Sequence, residues 1–374
     1  MPLLAILRFA FALFSVAVYG ASAYLLWQWY QGDIVQVEGA LIRTREDWHL
    51  WVGLLLLAWG LSGKFLWRFM LAKPDQEEPT KAQHGVGRQI ASSTGSSLFV
   101  EEVGPENGPI IIFTHGAACN STVWQYAKRQ LADQFRLVLW DLPGLGRSIA
   151  VSGQPLGPNH YAADLADLLT SLGQPVVLVG HSMGGMTIQT LFGDFPALAD
   201  RYVRGAVLVN TTYTNPLKTM ILPRVAQAIR FPLIEPLSRL AIGLQPLAWL
   251  FAWQSYLSGS AHIASRFGFG KFVTRSQLEH ATILSTRNAP GSIARGNLDM
   301  FRWDASATLH GLNKPTLVLA GELDIVTKPN ASVVIATTAP RAQLTIIAGV
   351  NHMGFMEQSR TYNDAIAAFV RSLG

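Results

Sequence analysis

Three side chains able to cooperate in acyl transfer occur in the order serine, acid, histidine, each just past a short apolar run. Ser182 lies in Gly180-His181-Ser182-Met183-Gly184, Asp324 ends Gly321-Glu322-Leu323-Asp324, and His352 lies in Gly349-Val350-Asn351-His352-Met353-Gly354. A free serine hydroxyl is a poor nucleophile near neutral pH and needs a base, which in turn needs an orienting group. His352 would take the Ser182 proton and later return it to the leaving group, while Asp324 fixes the imidazole tautomer and stabilises its cation. Glu322 is the alternative acid. The backbone N–H groups of Met183 and Ala117 would face the oxyanion of a tetrahedral intermediate, each good donor contributing ~3 kcal/mol in comparable sites.

These residues need a scaffold that presents strand ends on one edge. Val176 to Gly180 reads as a buried strand, and a helical segment follows the serine at once, so the order is strand, tight turn, helix. Glycines two positions to either side of Ser182 leave room for a cramped turn. Strand-like runs also occur at Ser97 to Val103, Ile110 to Thr114, Arg136 to Trp140, Gly205 to Asn210, Pro315 to Ala320 and Gln343 to Ile347. Helical patterns fall at Ser121 to Asp133, His160 to Leu172, Gly185 to Phe195 and about Glu357 to Leu373. Alternating β and α segments with continuous apolar strands imply an α/β fold, a mostly parallel sheet covered by helices on both faces. Ligands of such sheets sit at the carboxyl ends of the strands, where Ser182, His115 and Asp141 fall. Between Thr211 and Leu312 the alternation stops for about a hundred apolar, Pro-containing residues, too long for a structureless loop, so a helical insertion above the strand ends is expected.

The chain has 374 residues, 49% apolar and 14% charged, with a net charge of +5 and a single cysteine, Cys119. That is greasier than a typical soluble enzyme, and one cysteine excludes an intrachain disulfide framework. The positive charge forms no Lys/Arg run, which argues against nucleic-acid binding and leaves mild attraction to anionic lipid. Phe9 to Gly32 carries no charge, long enough to cross a hydrocarbon core of ~30 Å, with Trp27, Trp29 and Tyr30 at its far end. A cleaved signal peptide, with Arg8 as its basic start and Ala21-Ser22-Ala23 as the cleavage site, is the rival, against which the apolar run continues through Trp27. A second run, Leu50 to Gly63, spans roughly 21 Å as a helix, so crossing requires Lys64 and Arg68 to reach toward the headgroups. The expectation is a membrane anchor over 1–73, with transmembrane helices at about 5–30 and 48–70, an interfacial or re-entrant second helix being the alternative. Residues 74–87, rich in Pro, Asp, Glu and Gly, read as a linker, and 88–374 as the catalytic domain with its insertion at about 211–312. Arg43 and Arg45 in the intervening loop are outweighed by Lys64, Arg68, Lys73, Lys81 and Arg88 after the second run, which places both chain ends, and the catalytic domain, on the cytoplasmic side of a bacterial-type inner membrane.

From Arg88 to Gly374 the chain resembles the α/β-hydrolase superfamily. The matching residues are Thr114-His115-Gly116-Ala117, Asp141-x-Pro143-Gly144-x-Gly146-x-Ser148, Gly180-x-Ser182-x-Gly184, Gly321-x-x-Asp324 and Asn351-His352-Met353-Gly354-Phe355-x-Glu357. The chain order Ser182, Asp324, His352 is that of this fold. The resemblance implies that the 211–312 insertion is the cap, and its nearest likeness is to monoacylglycerol lipases and carboxylesterases, some of which carry N-terminal membrane helices. It also implies that Ser182 separates the chain from haloalkane dehalogenases and epoxide hydrolases, which carry aspartate at the elbow. Asn351 is a departure, since glycine often precedes the histidine. The implied activity is hydrolysis of carboxylic esters of apolar or lipid-like molecules through an acyl-enzyme, with membrane lipid as neighbour. Thioesterase, carbon–carbon bond hydrolase, cofactor-free haloperoxidase-like activity and a silent binding scaffold share the same residues or fold. No cofactor or metal is expected, because His49, His262, His280 and His310 lack ligand partners at metal spacing. His115 and His181 suit packing, Asp141 the ordering of its own turn, and Cys119 a small buried role.

Overall fold

A computed structural model describes residues 2–76, 79 and 83–374, with the side chains of 2–9, Arg8 among them, outside the described set. The uncharged N-terminal run lies almost wholly within α1 (Pro2–Gln31), which is followed by β1 (Asp33–Val37), β2 (Ala40–Thr44) and α2 (Asp47–Leu71). β1 and β2 pair antiparallel in register Asp33 to Thr44, a hairpin the sequence reading did not anticipate. Its turn uses Glu38 and Gly39, both with positive φ (50° and 86°), the backbone twist that two-residue hairpins favour. α1 and α2 pack along one another. Gly53 and Gly60 make the approach close: a Cβ at Gly60 would lie 2.7 Å from the Tyr19 ring, and one at Gly53 2.8 Å from Leu26. Small residues at such crossings let apolar helices pack where lipid offers no hydrophobic drive of its own. The Ser22 hydroxyl donates to the Gly53 carbonyl at 2.7 Å. Both helices are long and apolar enough to cross a membrane, and most of their surface is unburied.

The segment 74–87 is pinned at both ends. Lys73 bridges to Thr274, Asp75 accepts from the Ser276 N–H at 3.1 Å, and Gly85 N–H donates to Glu101 at 2.9 Å. Glu77, Glu78 and Lys81 lie outside the described residues.

The rest is an α/β sandwich. β3 (Gly87–Ala91), β4 (Ser97–Val103), β5 (Ile110–Thr114), α3 (Gln125–Leu131), β6 (Arg136–Trp140), α4 (Pro158–Leu172) and β7 (Val176–His181) come first. α5 (Met183–Asp194), α6 (Pro196–Tyr202) and β8 (Val203–Val209) follow. After the insertion come β9 (Thr316–Gly321), then α14 (Pro329–Thr338), β10 (Ala342–Ile347), α15 (Gly354–Glu357) and α16 (Ser359–Ser372). The sheet has eight strands in the order β10-β9-β8-β7-β5-β6-β4-β3, parallel from β10 to β6 and antiparallel through β4 and β3. Strand alternation divides the core in two. Ile112, Val138, Leu178 and Leu208 face Leu165 and Leu169 of α4 with Ile188 and Leu191 of α5. Ile111, Phe113, Val179 and Val209 face Leu131 of α3 with Ile366 and Val370 of α16. Central strands buried on both faces explain why they read as unbroken apolar runs.

Between β8 and β9 lie seven α-helices: α7 (Pro216–Thr219), α8 (Pro223–Ala228), α9 (Glu235–Gly243), α10 (Gln245–Leu257), α11 (Ser260–Arg266), α12 (Arg275–Arg287) and α13 (Pro290–Met300). Prolines open α7, α8, α9, α10 and α13, where the missing N–H costs nothing. These helices form a cap over the strand ends. α1 and α2 pack on this cap, against α10 and α11, with α2 also meeting α12. Ser15 of α1 is buried with its hydroxyl 2.9 Å from that of Ser258, and a Cβ at Gly63 would strike the Ser258 carbonyl at 2.4 Å.

Candidate active site

Ser182 follows β7 and caps α5 with φ 52° and ψ −115°, a conformation that residues other than glycine rarely adopt. Its neighbours explain how that is sustained. A Cβ at Gly180 would lie 2.5 Å from the Gly184 backbone, and one at Gly184 2.3 Å from the Thr114 carbonyl, so the turn closes only with glycine at both places. The Ser182 N–H donates to Val209 at 3.0 Å, and the Thr211 hydroxyl donates to the Ser182 carbonyl at 2.6 Å, tying the turn to the end of β8. Met183, the first residue of α5, has no intrahelical acceptor for its N–H. Ala117 lies in the loop after β5, beside Ala118 at φ 59° and against the elbow: a Cβ at Gly116 would meet the Ser182 Cβ at 3.1 Å.

Asp324 and His352 come together from the loops after β9 and β10. His352 Nδ1 is 2.9 Å from Asp324 Oδ2, with both side chains buried. The carboxylate is fully supported. Its Oδ1 accepts from the N–H groups of Val326 (2.8 Å) and Thr327 (2.9 Å), and its Oδ2 from the Thr327 hydroxyl (2.9 Å) and the Asn210 amide (3.0 Å). Burial alone would raise its pKa, but the charge and hydrogen bond of His352, with the Thr327 N–H and the Asn210 amide, hold it below the ordinary carboxylate value. An acceptor on Nδ1 holds a proton there and leaves Nε2 as the nitrogen available to act as base. Glu322, the alternative acid, accepts instead from the Gly349 N–H at 2.8 Å and supports the histidine loop.

Ser182, His352 and Ala117 line one cavity of about 130 Å³ roofed by the cap, with Pro216 and Met220, Phe269, Ile293, Asn297 and Met300 among its walls. Cys119 is buried and also lines it.

The other histidines near the elbow are committed elsewhere. His115 Nδ1 donates to the Gly116 carbonyl at 2.8 Å and its Nε2 accepts from Leu142 N–H at 3.0 Å, with burial lowering its pKa. His181 Nε2 donates to the His352 carbonyl at 3.0 Å. Burial, then the neighbouring His352 charge, pushes its pKa well down, so it stays neutral. Asp141 accepts from the N–H groups of Ser121 and Arg147, both at 2.7 Å, and pairs with His84 at 2.9 Å, ordering its turn.

Asn210 and Thr327 support the site without having been singled out from the sequence, and Asn351 supports it from a position that was. Asn210 donates to Asp324 while its carbonyl oxygen accepts from the buried Tyr362 hydroxyl at 2.9 Å. Thr327 bonds the acid from both backbone and side chain. Asn351, the departure noted above, accepts from the N–H groups of His352 (2.8 Å) and Ile325 (3.1 Å) and donates to Phe267 (3.1 Å), joining the acid loop, the histidine loop and the cap. The available signal was position: Asn210 directly follows β8, at the edge where the other site residues lie.

Residues 111–365 match a family model described as "Alpha/beta hydrolase family". A polyketide synthase, ThaQ, from Burkholderia thailandensis is 28% identical over 267 residues, which is 70% of this chain but only 12% of that protein. Pimeloyl-[acyl-carrier protein] methyl ester esterase from Nitrosospira multiformis is 25% identical over 287 residues, covering 74% of this chain and 98% of the relative. Among solved structures, a thermophilic esterase from Thermogutta terrifontis is 25% identical with a TM-score of 0.56, covering 77% of this chain and 99% of that one.

Proposed function

The chain belongs to the alpha/beta hydrolase family, and from that premise we propose that it is a membrane-anchored serine esterase acting on carboxylic esters of apolar molecules, with Ser182, His352 and Asp324 as its catalytic residues. The observation that carries the reading is the buried 2.9 Å contact of His352 Nδ1 with Asp324, in a cavity that the Ser182 elbow also lines. The His352 Nε2 takes the hydroxyl proton as Ser182 Oγ bonds to the ester carbonyl carbon. The oxyanion is met by the N–H groups of Ala117 and Met183. Collapse of the intermediate breaks the carbon–oxygen bond, His352 protonates the departing alcohol, and water then cleaves the acyl-enzyme by the same route.

The esterase relatives support ester hydrolysis in this fold. Two long apolar helices support the anchor, and the excess of Lys and Arg from Lys64 to Arg88 over Arg43 and Arg45 between the two helices supports a cytoplasmic catalytic domain. Apolar walls around Ser182 support a lipid-like substrate over a small polar one.

The test is hydrolysis of p-nitrophenyl butyrate by the full-length protein. Ser182→Ala lowers kcat by ~10⁶-fold, the loss typical of removing a serine nucleophile, and abolishes labelling by a fluorophosphonate probe. Undiminished turnover or labelling in that variant refutes the assignment.

A further inference from the structure

A second cavity, of about 260 Å³, lies beyond the catalytic one. Its walls come from α9 and the preceding Ile234, from α10, α12 and α13, and from Ala261 of α11 and Ala12 of α1. It shares three wall residues with the catalytic cavity: Ser285, Ile293 and Asn297 line both. The two spaces are therefore neighbours across one partition, with Ser182 on one side and an apolar anchor helix on the other.

The chemistry of this chamber is one-sided. Of its polar wall residues, Ser238 donates to Ile234, Ser285 and Thr286 to Thr282, and Ser255 pairs with Ser260, so their hydroxyls are spent within the cap. The exception is Asn297, whose side-chain oxygen is buried without a hydrogen-bond partner and which stands at the partition. A buried acceptor left unpaired is costly, so a donor or ordered water on the bound molecule belongs there, next to the reacting group. The remaining walls are mostly hydrocarbon, with their few hydroxyls already bonded, so an apolar group gains most by entering.

The chamber is walled in part by the anchor, at Ala12, and reaches the surface where α9 meets α10. Leu240, Leu244 and Leu247 line it yet stay 50%, 47% and 44% exposed, which marks its rim. From Leu240 to Ser265 the cap carries no Asp, Glu, Lys or Arg. Leu250 and Trp253 of α10 continue the exposed apolar row past the rim, beside the packed α1. A helix that is apolar on both its buried and its exposed faces suits lipid better than water.

We propose that this chamber is a binding site for the long hydrocarbon tail of the ester substrate, entered sideways from the bilayer between α1 and the α9–α10 pair, with the ester delivered to Ser182 past Ser285, Ile293 and Asn297. The proposal rests on the esterase reading and adds the substrate class: a single-tailed long-chain ester drawn from the membrane, not a short ester taken from water.

The deciding experiment uses a hexadecyl fluorophosphonate bearing a diazirine at the end of its chain, added to the full-length protein in phosphatidylcholine vesicles. The Ser182 oxygen bonds to phosphorus as fluoride leaves, and illumination then inserts the chain end into whatever surrounds it. Adducts on peptides of α1, α9 or α10 are expected. Phosphonylated Ser182 with adducts only near Pro216 and Met220, or with none on the chamber walls, overturns the chamber and leaves the esterase standing. A folded protein whose Ser182 does not react overturns the esterase reading itself. In the same vesicles Ala12→Trp fills the wall contributed by the anchor, and the ratio of palmitate-ester to butyrate-ester kcat/KM falls by at least about tenfold. An unchanged ratio overturns the proposal.

Discussion

Asp324 occupies a site where every lone pair has a donor, so its role can be separated from its bulk. Asp324→Asn keeps the volume but presents a donor to His352 Nδ1 and reverses the tautomer the base needs. The expected outcome is a ~10⁴-fold lower kcat with KM nearly unchanged, read from p-nitrophenyl butyrate kinetics alongside circular dichroism. Glu322→Gln, two residues away, removes only charge from the bond to the Gly349 N–H and is expected to leave kcat within about threefold, in line with a conservative change outside the cavity. From sequence, these two acids were competitors because both follow β9, and a strand end does not reveal which side chain turns inward. Asn210 was harder still. An asparagine after a strand is equally a turn former, and only the tertiary fold brings it within 3.0 Å of a carboxylate 114 residues away.

The elbow carries the clearest link from composition to geometry. Gly184→Ala would place its Cβ 2.3 Å from the Thr114 carbonyl, a backbone atom that cannot swing aside. Overpacking of this kind costs ~1–3 kcal/mol, so thermal unfolding of Gly184→Ala is expected several degrees below the parent, with activity falling alongside. Gly243→Ala, with open space around it, provides the control and leaves the transition in place. The fold was legible in the sequence where burial is two-sided: β5, β7 and β9 are buried throughout and appear as plain apolar runs. It was illegible at the edges. β3 is nearly all exposed and reads Gly-Arg-Gln-Ile-Ala, with no alternation to find, and β1 and β2 are exposed throughout. The cap could be expected as helical because no strand pattern survived there, but its division into seven short α-helices depends on how they pack over the strand ends.

At the scale of the whole molecule, the two N-terminal helices and the cap are joined by a polar clasp as well as by apolar contact. Glu279 of α12 bonds to His262 of α11 at 2.8 Å and to the Tyr256 hydroxyl of α10, and lies 3.8 Å from Arg68 of α2. Lys64 of α2 donates to the same Tyr256 hydroxyl at 3.3 Å. Burial tends to raise the Glu279 pKa, but the bonds from His262 and Tyr256 and the charges of His262 and Arg68 outweigh it and lower it from 4.5 to about 2. A depressed carboxyl contributes stability that is complete above its unfolded value and lost as pH falls through the folded one. The parent is therefore expected to lose stability between pH 4.5 and about 2 more steeply than Glu279→Gln, the two curves converging at the acid end. Tryptophan fluorescence of detergent-solubilised protein across that range checks it. Because α1 and α2 rest on α10, α11 and α12, the two hydrophobic helices are structural members of the lid. Cutting the chain before Gly87 to obtain a conveniently water-soluble fragment would thus strip away one side of the substrate's corridor, bare the underside of the lid to solvent, and leave Glu279 without its arginine.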